Sequence, residues 1–355
     1  MTRELSIYLD LVRFVAALTV FLAHVSFQRY TGGFLWQFRV YAQPAVDVFF
    51  VLSGFVIAYV TDKRETTLGS YAINRLSRIY SVVIPALIVT FVLDQIGRHS
   101  NPSFYAVTDT SSDSLIRQYG ESLVFINQLW FQDIRPGSGI SYWSLGYEVW
   151  YYIIFGLVVF LPGKRGWTAG IAAACIAGPP IVSLLPLWLA GVACYRLCSR
   201  CTLGPTSGVF LLAVSLVAFA TCPMWYPAEA GRKTLLGLRP QLLQDYVVGA
   251  AFSANVLGIR VISSTLRPLL EPAGAAIRWA AGATFTLYLL HAPISRFLGS
   301  QLTWPPASWS SRLVVVLGTI AIVFLIASVT ERRKEAWRRW IRNGIRLRIP
   351  RHSQP

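Results

Sequence analysis

Two side chains in the first apolar segment could do chemistry together. The segment reads YLDLVRFVAALTVFLAHVSF over residues 8–27 and carries Asp10, Arg13 and His24. Arg13 and His24 are eleven residues apart in the sequence. As a helix, that spacing puts them on nearly the same face, roughly 16 Å apart along the axis. A histidine can move a proton at neutral pH or carry an acyl group for a moment. Arg13 can neutralise charge that develops nearby, and Asp10, one turn earlier, can pair with it. The segment alone also fits a plainer role, in which Arg13 snorkels to head groups and His24 caps the outer end.

Four further places hold residues that sit badly in lipid. Asp47 precedes FFVLSGF at 49–55 and needs a partner at its depth, expected to be an Arg or a His. Ser53 and Gly54 in that motif are small enough to let another helix approach closely. Arg75 and Arg78, three apart in NRLSRIYSV, can point the same way. Two forked cations at a membrane boundary suit a phosphate-bearing ligand, or simple anchoring. In WSLGYE at 143–148, Trp143 and Ser144 precede Glu148, a carboxylate amid an aromatic belt that could orient an imidazole or balance Arg13. His291 precedes Pro293 in TFTLYLLHAPISRF; it is a second site histidine or a packing group. Solvated roles suit His99, in an outer loop, and His352, in the tail.

A membrane must position these residues. Hydrophobic residues make up 54% of the 355 and charged ones only 14%, whereas soluble domains carry about a quarter charged. The apolar runs approach the ~20 residues that cross a bilayer as helix. About ten spans are expected, roughly over 7–27, 43–61, 79–96, 143–161, 167–183, 185–198, 206–222, 242–262, 277–298 and 312–330. The fold class expected is therefore all-α and polytopic. The stretch 115–132 is too polar to span and is expected as a surface or re-entrant helix on the outer side.

The net charge of +16 would raise nucleic-acid binding in a soluble protein, but here its placement follows the membrane. Basic clusters after alternate spans put both termini in the cytoplasm. Arg98, Arg117, Arg135, Arg232, Arg239 and Arg296 dissent. Residues 1–330 are expected as one transmembrane domain and 331–355 as a basic cytoplasmic tail on anionic lipid. Cys198 and Cys201 form a lone CxxC with no second pair, so neither a metal nor a disulfide is expected.

Taken in order, these pieces resemble the acyltransferase family 3 proteins, bacterial membrane enzymes that O-acylate surface glycans and some secreted small molecules. The resemblance rests on Arg13 with His24 at the family's R-x10-H spacing, FFVLSGF, the Arg75/Arg78 RxxR pair, WSLGYE and LYLLHAP at 287–293. Val149 departs from the family's usual second Glu. The resemblance implies an acyl-CoA donor, most often acetyl-CoA, and a hydroxylated acceptor, which could be a polysaccharide, a lipid-linked oligosaccharide or a macrolide-like small molecule. It implies an essential Arg13/His24 pair and functional importance for Arg75, Arg78, Trp143 and Glu148. It also implies the cytoplasmic (inner) membrane as location.

On that reading Arg75 and Arg78 hold the CoA phosphates, His24 is base or acyl carrier, and Glu148 stabilises its imidazolium. Many relatives carry an added extracellular esterase-like domain; here the membrane domain, or a separate partner, is expected to complete transfer. A transporter or flippase could use the same buried groups as a relay, but no paired internal symmetry is legible.

Overall fold

The computed structural model describes residues 1–106, 113–200, 203–226, 238–333 and 335–339. Arg232, Cys201, His352 and most of the basic tail lie outside them. Among the described residues helices are the only regular secondary structure, and the chain is an all-α multi-pass membrane protein.

Helix α1 (Arg3–Val25) begins where Thr2 Oγ1 accepts from the Leu5 N–H at 3.2 Å, with Glu4 in its first turn. The short α2 (Gln28–Thr31) and a 3-10 turn (Trp36–Tyr41) lead into α3 (Ala42–Arg64). Helix α4 (Leu68–Ser100), 33 residues long, opens on a capping box between Thr67 and Ser70. There follow α5 (Pro102–Ala106), α6 (Leu115–Leu123), α7 (Tyr142–Phe160), α8 (Lys164–Ala177) and α9 (Pro179–Arg200). The last are α10 (Pro205–Trp225), α11 (Leu242–Ile262), α12 (Arg267–Ala281), α13 (Thr284–Gln301), α14 (Trp309–Val329) and a 3-10 turn (Glu331–Arg333).

Eight described helices are long and apolar enough to cross a bilayer: α1, α3, α4, α7, α9, α10, α11 and α14. The other two expected spans differ for separate reasons. The fifth is α8, whose 14 residues are short for a crossing. The ninth, expected over 277–298, breaks at Gly282 into α12 and α13. Most of α13 is buried, including Thr284, Thr286, His291, Ser295 and Arg296. A helix walled in by protein needs no apolar face, which is why its sequence is polar. Helix α10 is the reverse, with Val209, Phe210, Val214 and Val217 exposed. Of the stretch 115–132, only α6 is helical.

Helices α3 and α9 meet backbone to backbone. A Cβ added to Gly54 would stand 1.9 Å from the Trp188 carbonyl oxygen, and one on Gly191 1.9 Å from that of Val51. The glycines allow this approach, which brings Trp188 Nε1 to donate to Ser53 Oγ at 3.2 Å.

Candidate active site

Helices α1 and α13 run side by side in the same direction. At one level Arg13 Nη2 donates to the Ala281 carbonyl at 3.3 Å. Farther along, His24 Nδ1 and His291 Nε2 are 2.8 Å apart, with their ring centroids 5.1 Å apart and the ring planes within 8° of parallel. His291 Nδ1 lies 2.9 Å from the Leu287 carbonyl oxygen. A carbonyl only accepts, so His291 carries its proton on Nδ1 and presents a lone pair at Nε2. His24 must then donate through Nδ1, which leaves His24 Nε2 as the basic nitrogen. The hydrogen-bond network thus assigns both tautomers of the neutral pair.

Three cavities follow one another past this pair. The first is lined by Arg13, Ser53, Arg78, Ser144, Glu148 and Glu331, with Phe49, Phe50 and Phe285 among its apolar walls. The second is lined by His24, Arg39, Gln43, Trp143 and Tyr288. The third again meets His24, Arg39 and Trp143. Their volumes are about 70, 160 and 1080 Å³. Val46 and Tyr288 stand between the first two, and Tyr288 OH is hydrogen-bonded to Ser144 Oγ at 2.6 Å. His24 stands between the second and third.

In the first cavity, Asp10 accepts from Arg13 Nη2 at 3.1 Å, while Arg13 Nε is buried without a hydrogen-bond partner. The Arg78 guanidinium makes no hydrogen bond to another described residue, although Tyr152, Glu148, Glu331 and Asp10 act on its charge. Glu148 accepts from Ser53 Oγ at 2.5 Å and from the Tyr152 hydroxyl. Glu331 reaches from beyond α14 to accept from Phe285 N, Thr286 N and Thr286 Oγ1 at 2.9–3.2 Å. It caps the otherwise uncapped start of α13, where a carboxylate complements the helix dipole.

Three expectations need correction. Arg75 does not face the cavity with Arg78. It is buried against Glu65, giving hydrogen bonds of 3.0 and 2.8 Å, and lies over the Tyr71 ring. Glu65, just past the end of α3, claims one arginine of the pair because Thr61 and Asn74 also bind its carboxylate. Asp47 has neither an Arg nor a His as its direct partner. It accepts from Gln43 Nε2 at 2.9 Å, its Oδ2 is buried without a hydrogen-bond partner, and the charged group beside it is a second carboxyl, Asp245, which Tyr226 and Arg239 approach. Finally, the group bonded to the His24 imidazole is His291, whereas the hydrogen bonds of Glu148 go to Ser53 and Tyr152.

Beyond the residues expected, Glu331, Tyr152, Tyr288 and Arg39 also line these cavities. Glu331 opens the basic tail in the sequence, and its contacts lie 45 and 46 residues away. No local spacing could reveal them. Tyr152 stands one turn after Glu148, a spacing that could have suggested the pair.

Residues 6–331 match the family model Acyl_transf_3, described as an acyltransferase domain. The chain belongs to this acyltransferase family. The acyltransferase MdmB of Streptomyces mycarofaciens is 27% identical over 346 residues, covering 88% of this acyltransferase and 86% of the relative. A protein of Staphylococcus aureus (strain COL) named as a candidate O-acetyltransferase is 28% identical over 167 residues, 42% of this chain. A counterpart in strain N315 matches to the same extent. The match spans only 24% of the length of these two staphylococcal proteins. No solved structure matches the acyltransferase.

Proposed function

We propose that this acyltransferase moves an acyl group, acetyl in the simplest case, from acyl-CoA to a hydroxyl of a cell-surface or exported glycan, with His24 as general base. The observation that carries the reading is the His24–His291 hydrogen bond, because it leaves a basic Nε2 between two cavities of different character. The first and narrowest cavity, which the second separates from His24, takes the acyl-pantetheine arm of the donor. Arg13 and Arg78 meet the donor's oxygens, with Arg13 Nε and the guanidinium of Arg78 as open donors. The wide cavity takes the acceptor, against Trp143.

The acceptor hydroxyl gives its proton to His24 Nε2 as its oxygen attacks the thioester carbonyl carbon. The carbon–sulfur bond then breaks, and the departing thiolate recovers that proton from Nε2. His291 accepts from His24 Nδ1 throughout and steadies the imidazolium in between. Asp10 pairs with Arg13, and Ser53 fixes Glu148. The location that fits is the cytoplasmic membrane with both termini inside. It is supported by Lys63 and Arg64 closing α3, Lys164 and Arg165 opening α8, and Arg196 and Arg200 closing α9.

Membranes containing the protein should transfer label from radiolabelled acetyl-CoA to the cell-surface carbohydrate fraction. His24→Ala should abolish that transfer while the protein still inserts. Near-normal transfer by His24→Ala would overturn the assignment.

A further inference from the structure

The wide cavity at the His24 end holds more positive charge than its own carboxylates answer. Arg29, Arg39, Arg98, Arg135 and Arg296 line it, against Asp113 and Asp133. Both carboxylates are already engaged. Arg135 grips Asp133 with two contacts of 3.2 and 2.8 Å, and Arg117 donates to Asp113 at 2.6 Å. Arg98 and Arg296 act together on Asp94, which also accepts the Ser138 N–H and hydroxyl at 2.8 and 2.7 Å.

Arg29 and Arg39 meet neutral groups instead. Arg29 donates to the Phe104 carbonyl at 2.6 Å and lies 4.4 Å from the centre of the Phe104 ring. Its Nε is buried with no hydrogen-bond partner. Arg39 spans the junction of the second and third cavities and binds Ser26, two residues beyond His24, through Nε and Nη2 at 2.8 and 2.5 Å. Guanidinium groups held in a protein-walled cavity are costly until an anion meets them. Their planar forks match the oxygens of a phosphate.

We propose that the acceptor carries a phosphate or diphosphate group, held by Arg29 and Arg39 while its hydroxyl lies against His24 Nε2. The proposal rests on the acyl-transfer reading for what this ligand becomes, but the anion site itself can be measured without any catalysis. The same basic cavity explains why three of the arginines that break the positive-inside pattern, Arg98, Arg135 and Arg296, stand at this end. They serve a ligand cavity instead of the orientation of the chain.

Radiolabelled pyrophosphate is the probe, added to the full chain in phosphatidylcholine nanodiscs. Saturable binding is expected, weakening with salt and falling at least tenfold in the Arg29→Gln/Arg39→Gln double variant. Asp133→Asn, at an exposed position, should tighten binding severalfold by releasing Arg135 from its counter-charge, and it guards against a loss that merely reports misfolding. Absence of saturable binding in the wild type would overturn the proposal, as would unchanged affinity in either variant. Displacement by acetyl-CoA would instead give these arginines to the donor, and displacement by phosphatidylglycerol in the nanodisc would give them to lipid head groups. Either result sinks the acceptor assignment. Loss of transfer in His24→Ala is a separate outcome, so the anion site and the acyl-transfer reading can fail independently.

Discussion

The two ends of the cavity series differ in width and in charge. At the Arg13 end, Arg13 and Arg78 face Glu148 and Glu331 across about 70 Å³ of space walled by phenylalanines. At the His24 end, five arginines and two aspartates line about 1080 Å³. A charge-balanced, narrow passage suits the uncharged, slender arm of an acyl-pantetheine. A broad cation-rich one suits a bulky polar acceptor. His24 lines the wide cavity and the intermediate one that leads to the narrow passage, so a donor arm emerging from the passage meets it on the way to the acceptor. The Tyr288–Ser144 bond closes the narrow side, so the side chains there must part before an acyl arm can reach the imidazole.

The comparison can be broken at several points. The largest effect on stability is expected from Glu65→Gln, which leaves the Arg75 guanidinium buried without its counter-charge. Breaking such a pair costs about 3–5 kcal/mol, to be read as a lower unfolding temperature in detergent. The KM for acetyl-CoA should hold in the molecules that remain folded, since Arg75 lies off the cavity. Arg78→Gln reverses that pattern. It should raise the acetyl-CoA KM roughly ten- to hundredfold, the loss of one hydrogen-bonding charge, with little change in stability. If the KM rises with Glu65→Gln and not with Arg78→Gln, the two arginines have been assigned the wrong way round. The smallest effect belongs to Tyr288→Phe. Losing its bond to Ser144 should raise acetyl-CoA hydrolysis in the absence of acceptor by about two- to tenfold. Thiol release reads this directly, and an unchanged rate would mean that Tyr288 does not restrain the passage.

Much of this arrangement was legible from residue type and local spacing. The R-x10-H spacing put Arg13 and His24 on one face because α1 is a regular helix over both. The Asp10–Arg13 pair followed from one-turn spacing. The same reasoning failed for Arg75 and Arg78, where a long-range competitor, Glu65, turned one arginine away. It failed again for Asp47, because the carboxyl that acts on its charge, Asp245, lies nearly two hundred residues away in the sequence. The break at Gly282 was hidden because hydropathy merges α12 with α13. The weak apolar signal of α13 was itself the mark of a helix enclosed by protein. Pairings between distant segments need the fold, and both the His24–His291 bond and the Glu331 cap are of that kind.

The most direct test of the account is a double-variant cycle on the two histidines, with the kcat of acyl transfer as readout. His24→Ala and His291→Ala should each lower kcat by about 10²–10⁴-fold. The double variant should then fall no further than His24→Ala alone, because His291 acts only by setting and steadying the imidazole of its neighbour. Multiplying losses in the double variant, or near-normal turnover in His291→Ala, would contradict the pair as a single catalytic unit.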